Sequence, residues 1–283
     1  MLVRRGGKKK NIDKQVVSDF GREWDKFNHL DMDNSSLKTS FDSYFSIFPF
    51  ESLPAEPIGA DIGCGSGRWA EMILPKVGRL HCIEPSDAFF VAKQKLSRFE
   101  NAVMHHNSLE SLVLEEESLD FAYSLGVLHH IPDTSKAIKD CVAKLKKGAP
   151  ILIYLYYRFE NKPAWFKLMW RCSDLLRRLI CFLPKRLKFL VCDLIALLVY
   201  LPLSKLSLAA DRLGIDVRNI PLSTYRELSF YTMRTDSLDR FGTRLEQRFS
   251  KCEIKEMMEK VDNLRFTIFD SCLSNSLLTF CSG

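Results

Sequence analysis

Three glycines, Gly63, Gly65 and Gly67, alternate in "ADIGCGSGRWA", directly after an apolar run that starts at Ile58. Glycine lets a backbone turn sharply and bring its N–H groups against a ligand. Asp61 precedes the loop. Glu84 ends the next apolar segment, "RLHCIEP", 21 positions after Gly63. A carboxylate at that place can accept hydrogen bonds from ribose hydroxyls. A second set of reactive side chains follows in "GVLHHIPD", where His129 and His130 could remove a proton from a nucleophile at neutral pH. The plainer reading of the pair is structural or positioning.

The loop and Glu84 together imply a nucleoside ligand, and two classes carry the ribose. A dinucleotide site wants G-x-G-x-x-G, whose third glycine lets the helix pack closely. Here the pattern is G-x-G-x-G, and Arg68 stands where that third glycine would fall. S-adenosylmethionine is the other class, and Glu84 alone does not choose between them.

These residues need an alternating scaffold, and the sequence supplies one. "IGADI", "RLHCIEP", "NAVMHH", "SLDFAYSLGVL" and "APILIYLYY" read as strands. Between them "RWAEMILPKV", "SDAFFVAKQKLSRF" and "DTSKAIKDCVAKLKKG" read as helices, with Ser86 and Asp133 or Thr134 as N-caps and Gly148 as the last stop. Such alternation implies a parallel sheet covered on both faces. The alternation breaks from 160 to about 215, a stretch helical in character. It returns at Ser250, which forms a capping box with Glu253, and ends in "LRFTIFDS" and "NSLLTFC". Upstream, Phe20, Trp24 and Phe27 recur at helical spacing, as a helix docked on the core or as an aromatic cover over the cleft.

"ADIGCGSG", "HCIEPSD", "SLDFAYSLGVLHHIPD" and "AIKDCVAKLKKGAPILI", in that order, resemble the class I S-adenosylmethionine-dependent methyltransferases, type 11 domain group. The resemblance covers about 58–157. It implies an α/β fold with a Rossmann-like, doubly wound sheet of seven strands, the last antiparallel, and an inserted helical subdomain. The implied layout is an N-terminal tail and cover over 1–50, a cofactor-binding core over 51–158, a helical insertion over 159–249 and a final helix with two strands over 250–283. The implied cofactor is S-adenosyl-L-methionine. Asp61, Gly63, Cys64, Gly65 and Gly67 would wrap its methionine part, Glu84 and Pro85 its ribose, Ser108 and Leu109 its adenine, with Ser124 and Leu125 beside the methionine. Family members often carry Asp in the adenine segment, and here Ser108 follows Asn107 instead.

The implied reaction moves a methyl group to an O or N acceptor, such as a small metabolite, a glycan or a lipid-linked precursor. Competing readings are a nicotinamide-dependent oxidoreductase and a non-catalytic cofactor-binding or membrane-associated module. Arg240 and Arg244, in a polar run with Asp239 and Glu246, and Tyr225 upstream of it are candidates for the acceptor pocket; Tyr231 and Arg234 also lie just upstream of the run. A solvated loop with surface ion pairs is the plainer alternative.

The 283 residues are 46% hydrophobic and 27% charged, as in an ordinary globular protein of one large domain or one with an insertion. The formal charge of +6 is mild, and no RNA-binding module is appended, so no nucleic-acid partner is expected. Nine cysteines show no zinc-ligand spacing, so no metal is expected and the thiols read as reduced. The basic start lacks an apolar segment after it and does not read as a secretory signal. The expected location is the cytoplasm. Residues 160–210 hold nine Lys or Arg against three Asp or Glu, together with long apolar runs. Such a stretch suits peripheral contact with an anionic membrane, a lid, or plain packing. The longest run, "FLVCDLIALLVYLPL", is shorter than the about 20 residues that span a bilayer, and Asp193 and Pro202 interrupt it.

Overall fold

Five parallel strands grow from the alternating segment, and two more close the sheet. A computed structural model describes residues 11–26, 34–111, 114–261, 265–270 and 276–282, with the backbone alone at 22–26, 34–36, 270 and 276–282. Helices α1 (Lys14–Lys26) and α2 (Asn34–Phe45) precede β1 (Ile58–Ile62), α3 (Arg68–Ile73), β2 (Arg79–Ile83), α4 (Ala88–Lys95), β3 (Ala102–His105), β4 (Phe121–Leu125), α5 (Thr134–Val142) and β5 (Pro150–Tyr156). Then come α6 (Ala164–Ile180), α7 (Lys185–Ile195), α8 (Leu201–Arg212), α9 (Phe230–Gly242), α10 (Lys251–Glu259), β6 (Arg265–Asp270) and β7 (Ser276–Ser282).

The sheet order is β3-β2-β1-β4-β5-β7-β6. The first five strands pair in parallel, and β7 runs antiparallel to both β5 and β6. The order reverses between β1 and β4, and in open sheets the crevice at that switch point receives ligands. Helices cover both faces, so the central strands are apolar on both sides. On one face Ile138 and Cys141 of α5 and Ile254 and Met258 of α10 pack on Ala60, Ala122 and Ile153. On the other, Phe41 and Phe45 of α2 and Trp69 and Ile73 of α3 pack on Leu80, Phe121 and Leu152.

Local signals placed most element ends. The Asp133 side chain accepts from Lys136 N–H at 2.9 Å. Ser250 and Glu253 form the reciprocal capping box. Two expectations change. Helix α5 stops at Val142, well before Gly148, because the chain is drawn into a bridge beside β4: Leu119 N–H donates to Lys144 O and Lys146 N–H to Leu119 O. Asp87, not Ser86, is the residue preceding α4, although Ser86 Oγ still accepts from Ala88 N–H at 3.2 Å.

The insertion forms its own small core, where Ile180, Cys192, Tyr200, Met233, Leu238 and Phe241 meet. Helices α7 and α8 join through a π-helical turn at Ala196–Tyr200. That wider turn stands just before Pro202, which cannot donate a helical bond. The result corrects the expected interruption: Lys185–Arg212 is one continuous helix of 28 residues, long and apolar enough to cross a membrane by length and composition.

Candidate active site

A single cavity of about 650 Å³ runs from the strand ends to the insertion. Small-molecule sites occupy roughly 300–1,000 Å³, so it has room for a nucleoside and a second reactant.

At the sheet end, Gly63 has φ +78° and a side chain there would stand 2.5 Å from Val127. The loop folds back on β2: Gly63 and Cys64 N–H groups donate to Ile83 O at 2.8 and 3.0 Å, and Gly67 N–H to Cys64 O. Gly65 N–H donates to Glu84 Oε2 at 2.9 Å, and Ser86 N–H to Oε1 at 2.9 Å. Those four loop amides are committed within the protein, which leaves a pyrophosphate fewer backbone donors than a dinucleotide loop offers. Each Glu84 oxygen keeps a further lone pair for a ribose hydroxyl.

Two buried acids lie at this end of the cleft. Burial, with Glu84 nearby, pushes the Asp61 carboxyl up to about 8, and one of its oxygens has no partner among the described residues. Burial also raises Glu84, against the hydrogen bonds from Ser86 and Gly65. Two desolvated acids beside a loop whose amides at Gly63, Cys64, Gly65 and Gly67 are engaged suit a ligand that carries positive charge. S-adenosylmethionine carries an ammonium and a sulfonium, and these residues fit it.

The comparisons agree with the geometry. A family profile described as "Methyltransferase domain" matches residues 60–153. The core of this chain is a class I S-adenosylmethionine-dependent methyltransferase domain. Phosphoethanolamine N-methyltransferase 2 of Caenorhabditis elegans is 30% identical over 100 residues. That match covers 34% of this chain and spans 23% of the relative's length. A putative methyltransferase of Bacillus halodurans shares the fold with a TM-score of 0.51 at 10% identity, over 86% of this chain and 98% of that one. S-adenosylmethionine is the cofactor of the domain.

The structure sorts the expected site residues of this methyltransferase core. Gly63, Cys64, Gly65, Glu84, Pro85, Ser108, Leu109 and Leu125 line the cavity. Asp61 lies just behind the loop, almost fully buried. Gly67 does not line the cavity. With φ +77° it turns the chain into α3, where a side chain would press on Leu96 at 3.0 Å. Ser124 is also turned away: its hydroxyl donates to Ile62 O at 2.9 Å and ties β4 to β1.

The histidines separate. His129 is fully buried, stacked on Tyr156 with ring centroids 3.8 Å apart, and outside the cavity wall. Burial, then His130 and Arg248, lower its pKa well below the ordinary value, so it stays neutral. It packs and does not reach a reactant, which corrects its candidacy as a base. His130 lines the cavity. Its Nδ1 lies 2.6 Å from Leu245 O, and a carbonyl can only accept, so Nδ1 carries the proton. In the neutral ring Nε2 is then the acceptor, and it lies 3.8 Å from Asp239 Oδ1. Neither atom has a hydrogen-bond partner among the described residues.

Around that gap the insertion builds the second end of the cavity. Tyr156 OH donates to Asp239 Oδ2 at 2.6 Å. Burial raises Asp239, with His130 opposing, and burial with Asp239 nearby pushes Asp236 up to about 6. Arg240 is present in the wall but spoken for, donating to Glu246 at 2.5 Å. Despite burial, Arg248 and Arg240 hold Glu246 at about 2. Tyr225 lines the cavity as expected. Arg244 does not: its guanidinium lies over Phe182, 4.8 Å from the ring centre, outside the cleft. Arg234 pairs with Asp193 and Tyr231 packs in the insertion core.

Sequence spacing missed Asp236, Trp170, Tyr44, Tyr154 and Arg68, all of which line the cavity. Arg68 carried a usable signal, since it follows the glycine loop directly. The others sit in segments that meet only on folding. Val16 and Phe20 of α1 line the mouth as well, with Phe20 edge-on to His130 at 4.8 Å. The Trp24 side chain and Phe27 lie outside the described residues. His105 and His106 serve packing, against His81 and Phe89. Among the described residues no cluster could hold a metal ion, and the seven described cysteines form no disulfide.

Proposed function

We propose that the protein transfers a methyl group from S-adenosylmethionine to the nitrogen of an amine acceptor. The observation that carries this is the Asp236–Asp239 end of the cavity. Two carboxylates face it, and the ion-pair contact of Asp239 among the described residues is the long one to His130. Tyr44, Tyr154, Tyr200, Tyr225 and Trp170 surround them. Carboxylates ringed by aromatic faces attract a cation.

When bound, S-adenosylmethionine supplies an activated methyl group that an uncharged amine can accept. The residues of this chain solve the remaining problem, which is that an amine binds as ammonium with its lone pair occupied. Asp236 and Asp239 draw the ammonium in. His130 Nε2 and Asp239 Oδ1, both open as acceptors, take its proton. Tyr156 holds Asp239 in place while this happens. The rest of the wall excludes water and fixes orientation. The curated relative of the core is named for N-methylation, which supports the same choice of atom.

The test is to incubate the protein with methyl-labelled S-adenosylmethionine and matched pairs of amines and alcohols. Label on nitrogen, with the alcohol of each pair untouched, is the expected result. Label on oxygen alone, or on no compound, overturns the proposal.

A further inference from the structure

The insertion helices are built the wrong way round for a soluble surface. Along Lys185–Arg212 the inward stripe is Lys188, Cys192, Ala196, Tyr200, Ser204 and Ser207, all buried. It is tied to α9 by polar bonds: Lys188 Nζ donates to Gly242 O, Ser237 Oγ to Cys192 O, and Arg234 pairs with Asp193. The outward face carries Leu190, Leu194, Leu198 and Leu206, the last two 66% and 65% exposed. Helix α6 repeats the inversion. Arg177 is buried, donating to Thr243 O and Arg244 O, while Leu175, Leu179 and, just beyond the helix, Phe182 are exposed. Large apolar patches on soluble monomers mark a site of interaction.

Two further observations say what covers this face. Exposed cations Arg171, Lys185, Arg186, Lys205 and Arg212 flank the leucines. The acids of the same helices are engaged: Asp174 by Arg177 and Arg178, Asp193 by Arg234, and Asp211 by Arg226. The face is therefore apolar and net basic, which complements an anionic bilayer surface. The cavity also opens there. Met169 and Leu176 of α6 and Val199 beside α8 line the cavity and are exposed at the same time.

We infer that this face of α6, α7 and α8 docks on an anionic membrane and that the cleft takes its acceptor from it. The leucines enter the headgroup–acyl boundary and the flanking cations meet lipid phosphates. The polar bonds of the inward stripe keep the long helix on α9, so it lies in the interface. Resting on the amine reading above, the acceptor class is an amine-headed amphiphile, with its head between Asp236 and Asp239 and its chain leaving between Leu176 and Val199.

The test is flotation of the full chain with vesicles of phosphatidylcholine alone or with added phosphatidylglycerol. Binding to the anionic vesicles, released by high salt, is expected. Leu194→Glu with Leu198→Glu, and separately Arg186→Glu with Lys205→Glu, should each weaken it about tenfold or more, with S-adenosylhomocysteine binding kept as proof of folding. No flotation with either composition overturns the proposal. So does a stable dimer that binds no vesicle and is split by the leucine changes, which would assign the face to a second copy. Protein that resists salt and leaves vesicles only in detergent also overturns it, in favour of a spanning helix. The wild-type arms decide even if the variants fail to fold. Labelled phosphatidylethanolamine in vesicles checks delivery. If soluble amines are methylated and this lipid is not, delivery is wrong and docking stands. If no amine is methylated, the amine reading is wrong and docking stands.

Discussion

Glu84 and Asp239 are both carboxylates in the cavity wall, held in different ways. Each oxygen of Glu84 accepts from a backbone amide, and the groups that hold it belong to the loops after β1 and β2. Asp239 has one oxygen fixed by Tyr156 and the other facing an open ring nitrogen of His130. The first arrangement positions a ligand, with both carboxylate oxygens held by the backbone. The second has an acceptor to spare and a ring beside it that can share a proton. On the amine reading, the sheet end mounts the cofactor and the insertion end takes the acceptor's proton.

Changes that separate the two carboxylates should have the largest effects. Asp239→Asn is expected to lower kcat by about 10²–10⁴-fold, the usual worth of a proton acceptor. Calorimetric affinity for S-adenosylhomocysteine should stay as it was. Glu84→Ala should act in the opposite sense, weakening S-adenosylhomocysteine roughly ten- to a hundredfold through lost hydrogen bonds to a charged group.

A smaller effect concerns Asp61. Its folded pKa of about 8 stands above the ordinary 3.8, so the ligand-free protein holds a proton there that the unfolded chain releases. The associated stability is complete below about pH 4 and is lost as pH rises through about 8. Wild type should therefore lose Tm over that range relative to Asp61→Asn. A bound cation favours the carboxylate, so cofactor binding at pH 7 should release protons, visible as a binding heat that changes with the buffer's ionisation enthalpy. Arg244→Ala, outside the cleft, should change kcat/KM by less than about twofold.

The sheet end was largely legible from the sequence because its information is local. Three glycines and one acid at fixed spacing turn a loop at the end of one strand, and alternating apolar runs fix the sheet that carries them. Even there, Gly67 and Ser124 face away from the cavity, because spacing places a residue at a strand end without saying which way it points. The insertion end was barely legible. Trp170, Tyr200, Asp236 and Asp239 come from three helices, and no periodicity in the sequence brings them together. The long helix is hidden in the sequence for a related reason: Asp193 and Pro202 look like breaks, but Arg234 pairs with one and a π-helical turn precedes the other.

The most direct measurement is titration of S-adenosylhomocysteine into wild type, Glu84→Ala and Asp239→Asn under one buffer. Tight binding by wild type and Asp239→Asn, with loss in Glu84→Ala alone, is expected of a cleft divided between a cofactor mount and a proton-accepting end. Equal loss in both variants, or no binding by wild type, would contradict that division.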